Sequence, residues 1–501
     1  MNDIIELIKQ GVMKMPAKKK PLKILFVATE VSPYSKTGGL GDVAGSLPKA
    51  LRDRGVDIRI ALPKHGLIPA KYFEGTKIVA EFGVGLAWRT QNVKIHALDA
   101  YGDGDSVYFI ENDFYFNRDS YYGYGDDFER LAYFTKASIE MLSHIDFQAD
   151  VLHFNDWHTG LGPTFLRDVF KGFKFYRNMK SLITIHNLHY QGIFGRDVLW
   201  SIGLNDGYFI GGDVEFFGNI SYLKAGIMHS DAISTVSKTY TKEIKTPAYG
   251  YGMDGLIRQR VAAGGGLYGI TNGIDIVEND PATDPRIYQN FDINSIDKKK
   301  LNKHGLQKDL GLPVGDMPLL SMITRIVEQK GFDILSIIME ELMTLDVQLV
   351  VLGTGEQRYE SILRHFANKY PDKVSANLIF DVNLAQRIYA GSDIFMMPSV
   401  YEPCGLGQLF AMRYGTIPIV RKTGGLADTV NHYNKKTKKG NGFVFEDFVA
   451  SGLMWAIREA VAAYNEPEVW ESIVKNAMTG QFSWHDSADE YIKMYKKILK
   501  G

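Results

Sequence analysis

Short, almost wholly apolar runs alternate with longer amphipathic stretches along this chain, and the series starts twice. Residues 23–28 form the first such run, followed by a glycine-rich turn, a predicted helix over 41–54 and a second run over 57–62. Apolar runs separated by helices are typical of parallel α/β sheets, whose strands are buried on both faces. The same pattern predicts later strands at residues 151–154, 181–185, 232–235 and 269–270.

The second series begins after a stretch rich in Pro and Asp at residues 278–285 and a charged, helix-prone segment that ends near 310. A new first strand is predicted at residues 318–325, and further strands at 348–352, 378–380, 394–397 and 417–420. Because 501 residues exceed one ordinary core, we expect at least two domains. The predicted organisation is a leader at 1–20, a first domain at 21–275, a second at 276–480 and a terminal helical segment at 481–501.

The terminal segment carries its own helix signals. Ser487 with Glu490 matches a capping box, which predicts that the helix starts there. Apolar side chains then recur at helical spacing at Tyr491, Ile492, Tyr495, Ile498 and Leu499.

One heptapeptide occurs in both halves of the chain. KTGGLGD at residues 36–42 returns as KTGGLAD at 422–428, so six of the seven positions agree. Each copy lies where a turn is followed by a helix. This indicates two doubly wound, Rossmann-like domains that face each other across a cleft.

Composition narrows the possible partners. Lys and Arg number 57 against 58 Asp and Glu, a formal net charge of −1, so neither nucleic acid nor an anionic membrane is predicted as a partner. The single cysteine excludes an intramolecular disulfide and favours a reducing compartment. Since no signal-peptide core and no membrane-spanning run is present in the sequence, we expect a cytoplasmic protein.

The first glycine loop has two interpretations. Gly39 and Gly41 match a loose dinucleotide fingerprint, but they lie about ten residues beyond the strand, and the second strand ends without the expected acid. The alternative is that Gly38 and Gly39 let the backbone approach a diphosphate or a sugar while Lys36 adds positive charge. A plain strand-to-helix turn would not need that lysine.

Two cations follow the first strand of the second domain. Arg325 and Lys330 lie at its carboxyl end, before a predicted helix, which suits recognition of a leaving diphosphate. The segment YEPCGLGQ at 401–408 follows another strand, and a helix beginning near Gly405 would offer amides to phosphate. Glu402 lies beside that anion site, where its carboxylate is suited to binding sugar hydroxyls or developing positive charge. The alternative is that Glu402 caps the helix. Cys404 has no histidine partner nearby in the sequence, which favours packing over a nucleophilic role.

Polar and aromatic residues also end strands of the first domain. His158, beside Trp157, follows the strand at 151–154, and residues 184–192 end the next strand with side chains suited to a carbohydrate subsite. A loop rich in Tyr and Asp at 121–127 has similar character. Asp103-Gly104-Asp105 imitates a metal-binding D-x-D, but it is interpreted as a turn between strands. No metal and no cofactor is predicted.

These segments together closely resemble the glycogen and starch synthases of the bacterial and plant type, from about Lys23 to the C-terminus. The matching segments, in order, are residues 36–40, 155–158, 184–192, 272–275, 325–331, 402–406 and 423–428. The resemblance implies a GT-B fold, a C-terminal helix that crosses back to the first domain, and anomeric retention without a metal. It implies ADP-glucose as the donor, with UDP-glucose as the alternative, and an α-1,4-glucan as the acceptor.

The resemblance also assigns roles to residues. Catalytic positions are His158, Glu402, Arg325, Lys330 and Asp126; donor-binding positions are Lys36, Gly38, Gly39, Asp42, Gly353, Phe380, Cys404, Gly405, Leu406 and Gly407; acceptor-binding positions are Trp157, Asn187 and Tyr190. Phe380 stands where the family often has a tyrosine against the base. The rival interpretations are a transferase with another acceptor, a non-catalytic glucan-binding protein and an NAD-dependent oxidoreductase. Oligomeric state is left open.

Overall fold

Two β-sheets, each with helices packed on both faces, form most of the computed structural model, which describes residues 20–500. The strands are β1 Lys23–Val27, β2 Asp57–Pro63, β3 Lys77–Leu86, β4 Arg89–Leu98, β5 Val107–Glu111, β6 Val151–Asn155, β7 Lys180–Ile185, β8 Ile193–Phe194, β9 Glu215–Phe216, β10 Asn219–Ser221, β11 Ala232–Thr235, β12 Gly266–Gly269, β13 Leu319–Ile323, β14 Gln348–Leu352, β15 Val374–Asn377, β16 Ile394–Met397, β17 Ile417–Arg421 and β18 Phe443–Phe445.

The helices are numbered in the same way along the chain. They are α1 Gly39–Arg52, α2 Asp113–Phe116, α3 Asp127–His144, α4 Gly162–Phe165, α5 Asp206–Ile210, α6 Tyr222–His229, α7 Tyr240–Glu243, α8 Pro247–Gly250, α9 Asp254–Ala262, α10 Lys299–Asp309, α11 Phe332–Leu342, α12 Gln357–Lys369, α13 Val382–Gly391, α14 Gly407–Arg413, α15 Gly424–Thr429, α16 Ala450–Tyr464, α17 Pro467–Met478 and α18 Trp484–Ile498.

The first sheet has nine strands in the order β12-β11-β7-β6-β1-β2-β5-β4-β3. Its strands are parallel except at the β4 and β3 edge, where β5, β4 and β3 pair antiparallel. The second sheet has six parallel strands in the order β15-β14-β13-β16-β17-β18. A separate three-stranded antiparallel sheet is formed by β8, β10 and β9.

Alternation along the central strands divides the apolar side chains between two faces. In β1, Leu25 and Val27 belong to the core on one face, whereas Ile24 and Phe26 belong to the core on the other. β14 does the same in the second sheet, where Leu349 and Val350 point to different cores. Side chains alternate with a period of two, so an unbroken apolar run fits a strand covered on both sides.

The last helix returns to the first sheet. Trp484, Ala488 and Tyr491 of α18 share a core with Ile24 and Phe26 of β1. Between the two sheets, the chain leaves this core after Ile270, since Ile274 already belongs to the core of the second sheet. These contacts are consistent with the proposed boundary near residue 276 and with a terminal helix that belongs to the first domain.

A buried hydrogen bond fastens α18 to the sheet. The Tyr495 hydroxyl lies 2.8 Å from His153 Nδ1, and His153 Nε2 lies 2.6 Å from the Thr184 hydroxyl. We expect Tyr495→Phe to destabilise the protein by about 1–3 kcal/mol, because the buried His153 nitrogen loses its partner. Tyr491→Phe is the matched control, since the buried Tyr491 hydroxyl has no partner among the described residues. Urea unfolding of both variants checks this, and equal losses would contradict it.

Most predicted strands are confirmed, but several predicted boundaries are wrong. The strand predicted at 318–325 ends at Ile323, and the helix predicted at 41–54 spans Gly39–Arg52. The strand predicted at 269–270 is β12, which ends at Gly269. The strand predicted at 378–380 is β15, which ends at Asn377, the last residue that pairs with β14. Helix α18 begins at Trp484, because the Ser483 hydroxyl caps it by accepting a bond from the His485 amide. Ser487 instead donates its hydroxyl to the Thr271 carbonyl at 2.6 Å.

Asp103-Gly104-Asp105 lies in the bends between β4 and β5, as predicted. Leu499, predicted for the apolar face of the terminal helix, is 38% exposed. No helix within residues 20–500 has both the length and the apolar character needed to cross a membrane. The predicted leader lies outside the described residues except for Lys20.

Candidate active site

Most of the predicted site residues follow strands at the two points where the strand order reverses. In the first sheet the order reverses between β1 and β6, and Glu30 and His158 follow these strands. In the second sheet it reverses between β13 and β16, and Arg325 and Glu402 follow these. Loops diverge at such a point and leave a crevice at the carboxyl ends of the strands, where ligands of α/β proteins bind.

The first glycine loop presents open backbone. A Cβ on Gly38 or Gly39 would meet nothing within 4 Å, and Gly38 has an ordinary extended conformation. Neither packing nor backbone conformation therefore requires these glycines, and their backbone is open to close approach by a ligand. Lys36 Nζ lies 2.6 Å from the Asp42 carboxylate, and its side chain is half exposed.

Glu30, which the sequence analysis missed, organises this loop. Its carboxylate accepts bonds from the Thr37 hydroxyl at 2.7 Å, the Gly38 amide at 3.1 Å and the Tyr122 hydroxyl at 3.0 Å, and also from the Thr37 amide. Only 4% of the residue is exposed. Glu30 therefore ties the glycine loop to the loop at residues 121–127. Its position just after β1 is the signal that could have found it.

His158 lies in an aromatic pocket. Its ring stacks on Trp157 with centroids 4.1 Å apart and lies 4.6 Å from the Tyr122 ring. Burial, and then the nearby His186 and His65, lowers the pKa of His158 to about 3, so the imidazole is neutral at physiological pH. Its Nδ1 has no partner within residues 20–500. Because Nδ1 is buried, the ring nitrogen that a sugar hydroxyl could reach is Nε2.

Asp156 holds the turn that carries Trp157 and His158. It has a left-handed φ of 55°, rare for a residue other than glycine, and its Oδ1 accepts from the His186 amide at 2.7 Å. Asp156 thus joins the ends of β6 and β7. Burial raises its pKa from 3.8 to about 7, opposed by the amide bonds from His186 and Asn187. The matched sequence segment included Asp156, but no role was predicted for it.

The raised pKa of Asp156 predicts a pH dependence of stability. The folded state retains this proton up to about pH 7, whereas the unfolded carboxyl releases it near 3.8. The stabilising contribution is therefore complete below pH 3.8 and is lost as the pH rises to about 7. We expect Asp156→Asn to gain roughly 2–4 kcal/mol relative to the native protein across this interval. Urea unfolding at several pH values checks this, and a pH-independent difference would contradict it.

In the second domain Lys330 and Glu402 form a buried ion pair. Lys330 Nζ lies 2.6 Å from Glu402 Oε2, which also accepts from the Ser399 hydroxyl at 3.1 Å. The residue at the N-cap of α14 is Leu406, so the alternative that Glu402 caps this helix is wrong. Arg325 is exposed, and its guanidinium bonds to no other residue within 20–500. It is therefore free to meet an anion.

The segment after Glu402 offers unengaged amides. The N–H groups of Gly405 and Leu406 donate to no acceptor among the described residues, and α14 starts at Gly407, two residues later than predicted. Cys404 is buried, and burial raises the pKa of its thiol to about 12. A neutral, buried thiol agrees with the predicted packing role and not with a nucleophile.

Other predicted residues lie at the same edges with fewer contacts. Asp126 pairs with Arg118 through two bonds of 2.7 and 3.0 Å. In the second domain, a Cβ on Gly353 would lie 1.8 Å from the Thr324 carbonyl oxygen. Packing alone therefore requires Gly353. Tyr190 is 46% exposed, Asn187 accepts from the His189 amide, and Phe380 is 87% exposed beyond β15.

The two halves of the site meet through neighbours of Glu402. Tyr401 lies 6.2 Å from the His189 ring and 5.8 Å from the Tyr251 ring, both of the first domain. The Ser237 hydroxyl donates to the Pro403 carbonyl across the same junction. Glu402 therefore lies at the junction of the two domains. No group of three His, Cys, Asp or Glu side chains that could hold a metal ion occurs in the described part of the chain.

Comparison with known proteins identifies the family. Residues 23–259 match the starch synthase catalytic domain, and residues 308–477 match glycosyl transferases group 1. Over 481 residues the chain is 48% identical to the glycogen synthase of Clostridium novyi, covering 95% of this chain and 99% of that protein. The glycogen synthase of Clostridioides difficile is 47% identical, with 95% and 100% covered. The chain belongs to the glycogen synthase family.

Solved structures of related proteins agree. The catalytic domain of starch synthase IV from Arabidopsis thaliana, bound to ADP and acarbose, matches with a TM-score of 0.88 and 32% identity, covering 96% of this chain and all of that one. Sucrose-phosphate synthase from Thermosynechococcus elongatus, at 17% identity and a TM-score of 0.60, shares the fold. The predicted GT-B fold and the predicted hexosyl transfer are confirmed. The donor of this glycogen synthase is a nucleotide sugar, and its acceptor is a glucan.

The second copy of the heptapeptide has a different use in this synthase. Thr423 and the Gly424 amide bind the carboxylate of Glu243 from the first domain at 2.9 and 3.0 Å. Asp428 accepts bonds from the amide and the hydroxyl of Thr239. A Cβ on Gly424 would lie 1.9 Å from the Glu402 carbonyl oxygen, so packing requires this glycine. The first copy is open to a ligand, whereas the second joins the domains.

Proposed function

We propose that this synthase transfers glucose from ADP-glucose to the 4-hydroxyl at the non-reducing end of an α-1,4-glucan, with retention of anomeric configuration. The observation that carries the proposal is the grouping of Arg325, Lys330 and the unengaged amides of Gly405 and Leu406 at one switch point. Such a set suits a diphosphate. The related starch synthase IV bound to ADP and acarbose supports adenine as the base.

The diphosphate would be bound from both domains. Lys330 is held by Glu402 before the donor arrives, whereas Arg325 is exposed and unpaired among the described residues, so its guanidinium can turn toward the phosphates. Lys36, half exposed beside the open glycines, adds a third cation from the first domain. Fixed charges and amides stabilise the departing diphosphate most when negative charge develops on it, because they need no reorganisation at that moment.

The transferred glucose would lie between His158 and Glu402. The neutral His158 imidazole would offer Nε2 to a sugar hydroxyl, since its Nδ1 is buried. The Glu402 carboxylate would stabilise the positive charge that develops at the anomeric carbon. Asp126 would bring a second carboxylate to this site from the loop at residues 121–127. The acceptor side would be lined by Asn187, Tyr190 and Trp157.

Two further predicted residues would act indirectly. Asp42 would position Lys36, and Cys404 would pack beneath the amides.

Retention is proposed to occur by substitution on one face. A double displacement needs a carboxylate nucleophile, and the buried Glu402 is already held by Lys330 and Ser399. The bond from the anomeric carbon to the phosphate oxygen therefore breaks first. The leaving diphosphate then accepts the proton of the incoming 4-hydroxyl as the new glycosidic bond forms. Closure of the two domains would exclude water from the reactive centre.

Incorporation of labelled glucose into a glycogen primer tests this proposal. ADP-glucose and UDP-glucose are compared in parallel, with EDTA present. Rapid incorporation from ADP-glucose despite EDTA is expected. Preference for UDP-glucose would overturn the donor assignment while leaving the fold and the reaction in place. Loss of incorporation in EDTA, restored by a divalent cation, would overturn the metal-independent mechanism.

A further inference from the structure

Phe217 occupies a backbone conformation that bulky residues avoid. It lies with Gly218 in the two-residue turn between β9 and β10, with φ angles of 49° and 82°. Turns with two left-handed residues favour Asn-Gly or Asp-Gly, because these residues tolerate positive φ. A phenylalanine at such a position is strained. The side chain of this strained residue is nevertheless 78% exposed.

Packing does not explain this phenylalanine. The neighbouring Phe216 is only 9% exposed, and Phe216 and Ile220 supply the apolar side chains that the core receives from this hairpin. The two rings lie edge to face with centroids 4.7 Å apart, so Phe217 lies on the outer side of Phe216. A strained, exposed aromatic side chain at a turn points to a role in binding.

The location of the ring indicates which ligand it meets. A Cβ built on Gly252 would lie 2.9 Å from Phe217 Cε2, so the ring covers that glycine. The preceding residue, Tyr251, also has a left-handed φ of 48°, and its ring lies 5.1 Å from His189 and 5.8 Å from Tyr401. Phe217 therefore lies against Gly252, and the residue before Gly252, Tyr251, takes part in the aromatic contact between the domains. This is the side of the first domain that carries the proposed acceptor residues.

We infer that Phe217 is a stacking platform for the glucan acceptor, several units from the reacting end. One face of a pyranose ring carries C–H groups, so it can cover an exposed aromatic ring and remove apolar surface from water. The inference rests on the proposed function only in placing the acceptor at this edge of the cleft. It adds a residue that would set the preference for longer acceptor chains.

The test uses Phe217→Asn, which relieves the strained turn and removes the ring together. With ADP-glucose saturating and maltooligosaccharides of increasing length as acceptors, we expect KM for long acceptors to rise roughly five- to tenfold. KM for the shortest acceptor, KM for the donor and kcat should be unchanged. Because the strain is relieved, Tm should rise by roughly 1–3 °C.

Two further variants make the result specific. Phe217→Tyr keeps an aromatic ring and should keep the native KM for long acceptors. Phe173→Asn removes another exposed phenylalanine, 63% exposed, that lies before β7 at the opposite edge of the sheet, and it should change no kinetic constant.

Three outcomes would overturn the inference. One is an unchanged KM for long acceptors in Phe217→Asn, and another is an equal rise for every acceptor length, which would indicate a general disturbance. The third is a change in oligomeric state on size-exclusion chromatography, which would make Phe217 a contact between copies of the chain. Absence of glucose transfer by the native protein would instead be a failure of the proposed function.

Discussion

Arg325→Ala is expected to lower kcat by about 10²–10³-fold while leaving the free energy of unfolding unchanged. Arg325 is exposed and makes no ion pair within the described residues, so its removal disturbs no contact of the folded protein. Its proposed partner is the departing diphosphate, whose negative charge is greatest in the transition state. The loss should therefore appear in kcat more than in KM for the donor.

Arg358→Ala is the matched control. Arg358 is also exposed, but it pairs with Glu328 and Glu356 at the surface, so its removal should leave kcat and Tm nearly unchanged. Initial rates with both variants, together with thermal unfolding, give the comparison. Native turnover in Arg325→Ala would remove this residue from the proposed mechanism.

Lys330→Met is expected to impair both catalysis and folding. The ammonium group is the ion-pair partner of Glu402, and both side chains are largely buried, at 15% and 10% exposure. Removing one member leaves a buried carboxylate with only the Ser399 hydroxyl, which costs roughly 3 kcal/mol of stability. The loss of a cation at the diphosphate should also lower kcat by at least about 10²-fold.

A double variant separates the two effects. In Lys330→Met combined with Glu402→Gln no unpaired charge remains, and the side-chain amide introduced by the second substitution keeps an oxygen for Ser399. Stability should return to within about 1 kcal/mol of the native protein, whereas kcat should remain low. Recovery of activity along with stability would show that the pair is structural and would contradict the proposed roles of both residues.

The sequence predicted central elements better than their edges. The strands at 232–235, 348–352 and 394–397 were predicted to the residue, because these parallel strands are almost wholly buried and contain no charged side chain. The edge strand β15 was predicted too far along the chain, at Leu378 and its neighbours. Its position is set by pairing with β14, whereas the prediction followed the hydrophobicity of the segment. Likewise Ser487 and Glu490 fit a capping box, but the hydroxyl of Ser487 is used by a residue of another segment.

Site residues with local signals were predicted from motifs, and those defined by pairing were not. His158, Arg325, Lys330 and Glu402 follow apolar strands in distinctive segments, and the structure places each at a switch point. Glu30 was missed although it directly follows the β1 region, because the bond that ties it to Tyr122 spans 92 positions. The pairing of Lys330 with Glu402 spans 72 positions and likewise has no local signature.

The return of α18 to the first sheet sets an order of events during synthesis. Ile24 and Phe26 are made long before Tyr491 and Tyr495, the side chains of α18 that share their core. Translation at about 5–20 residues per second separates them by roughly half a minute or more. During that time α1 covers only part of this apolar face, and the rest is available to a chaperone or to another chain. A truncation that removes Tyr491 and Tyr495 would therefore expose apolar side chains of β1.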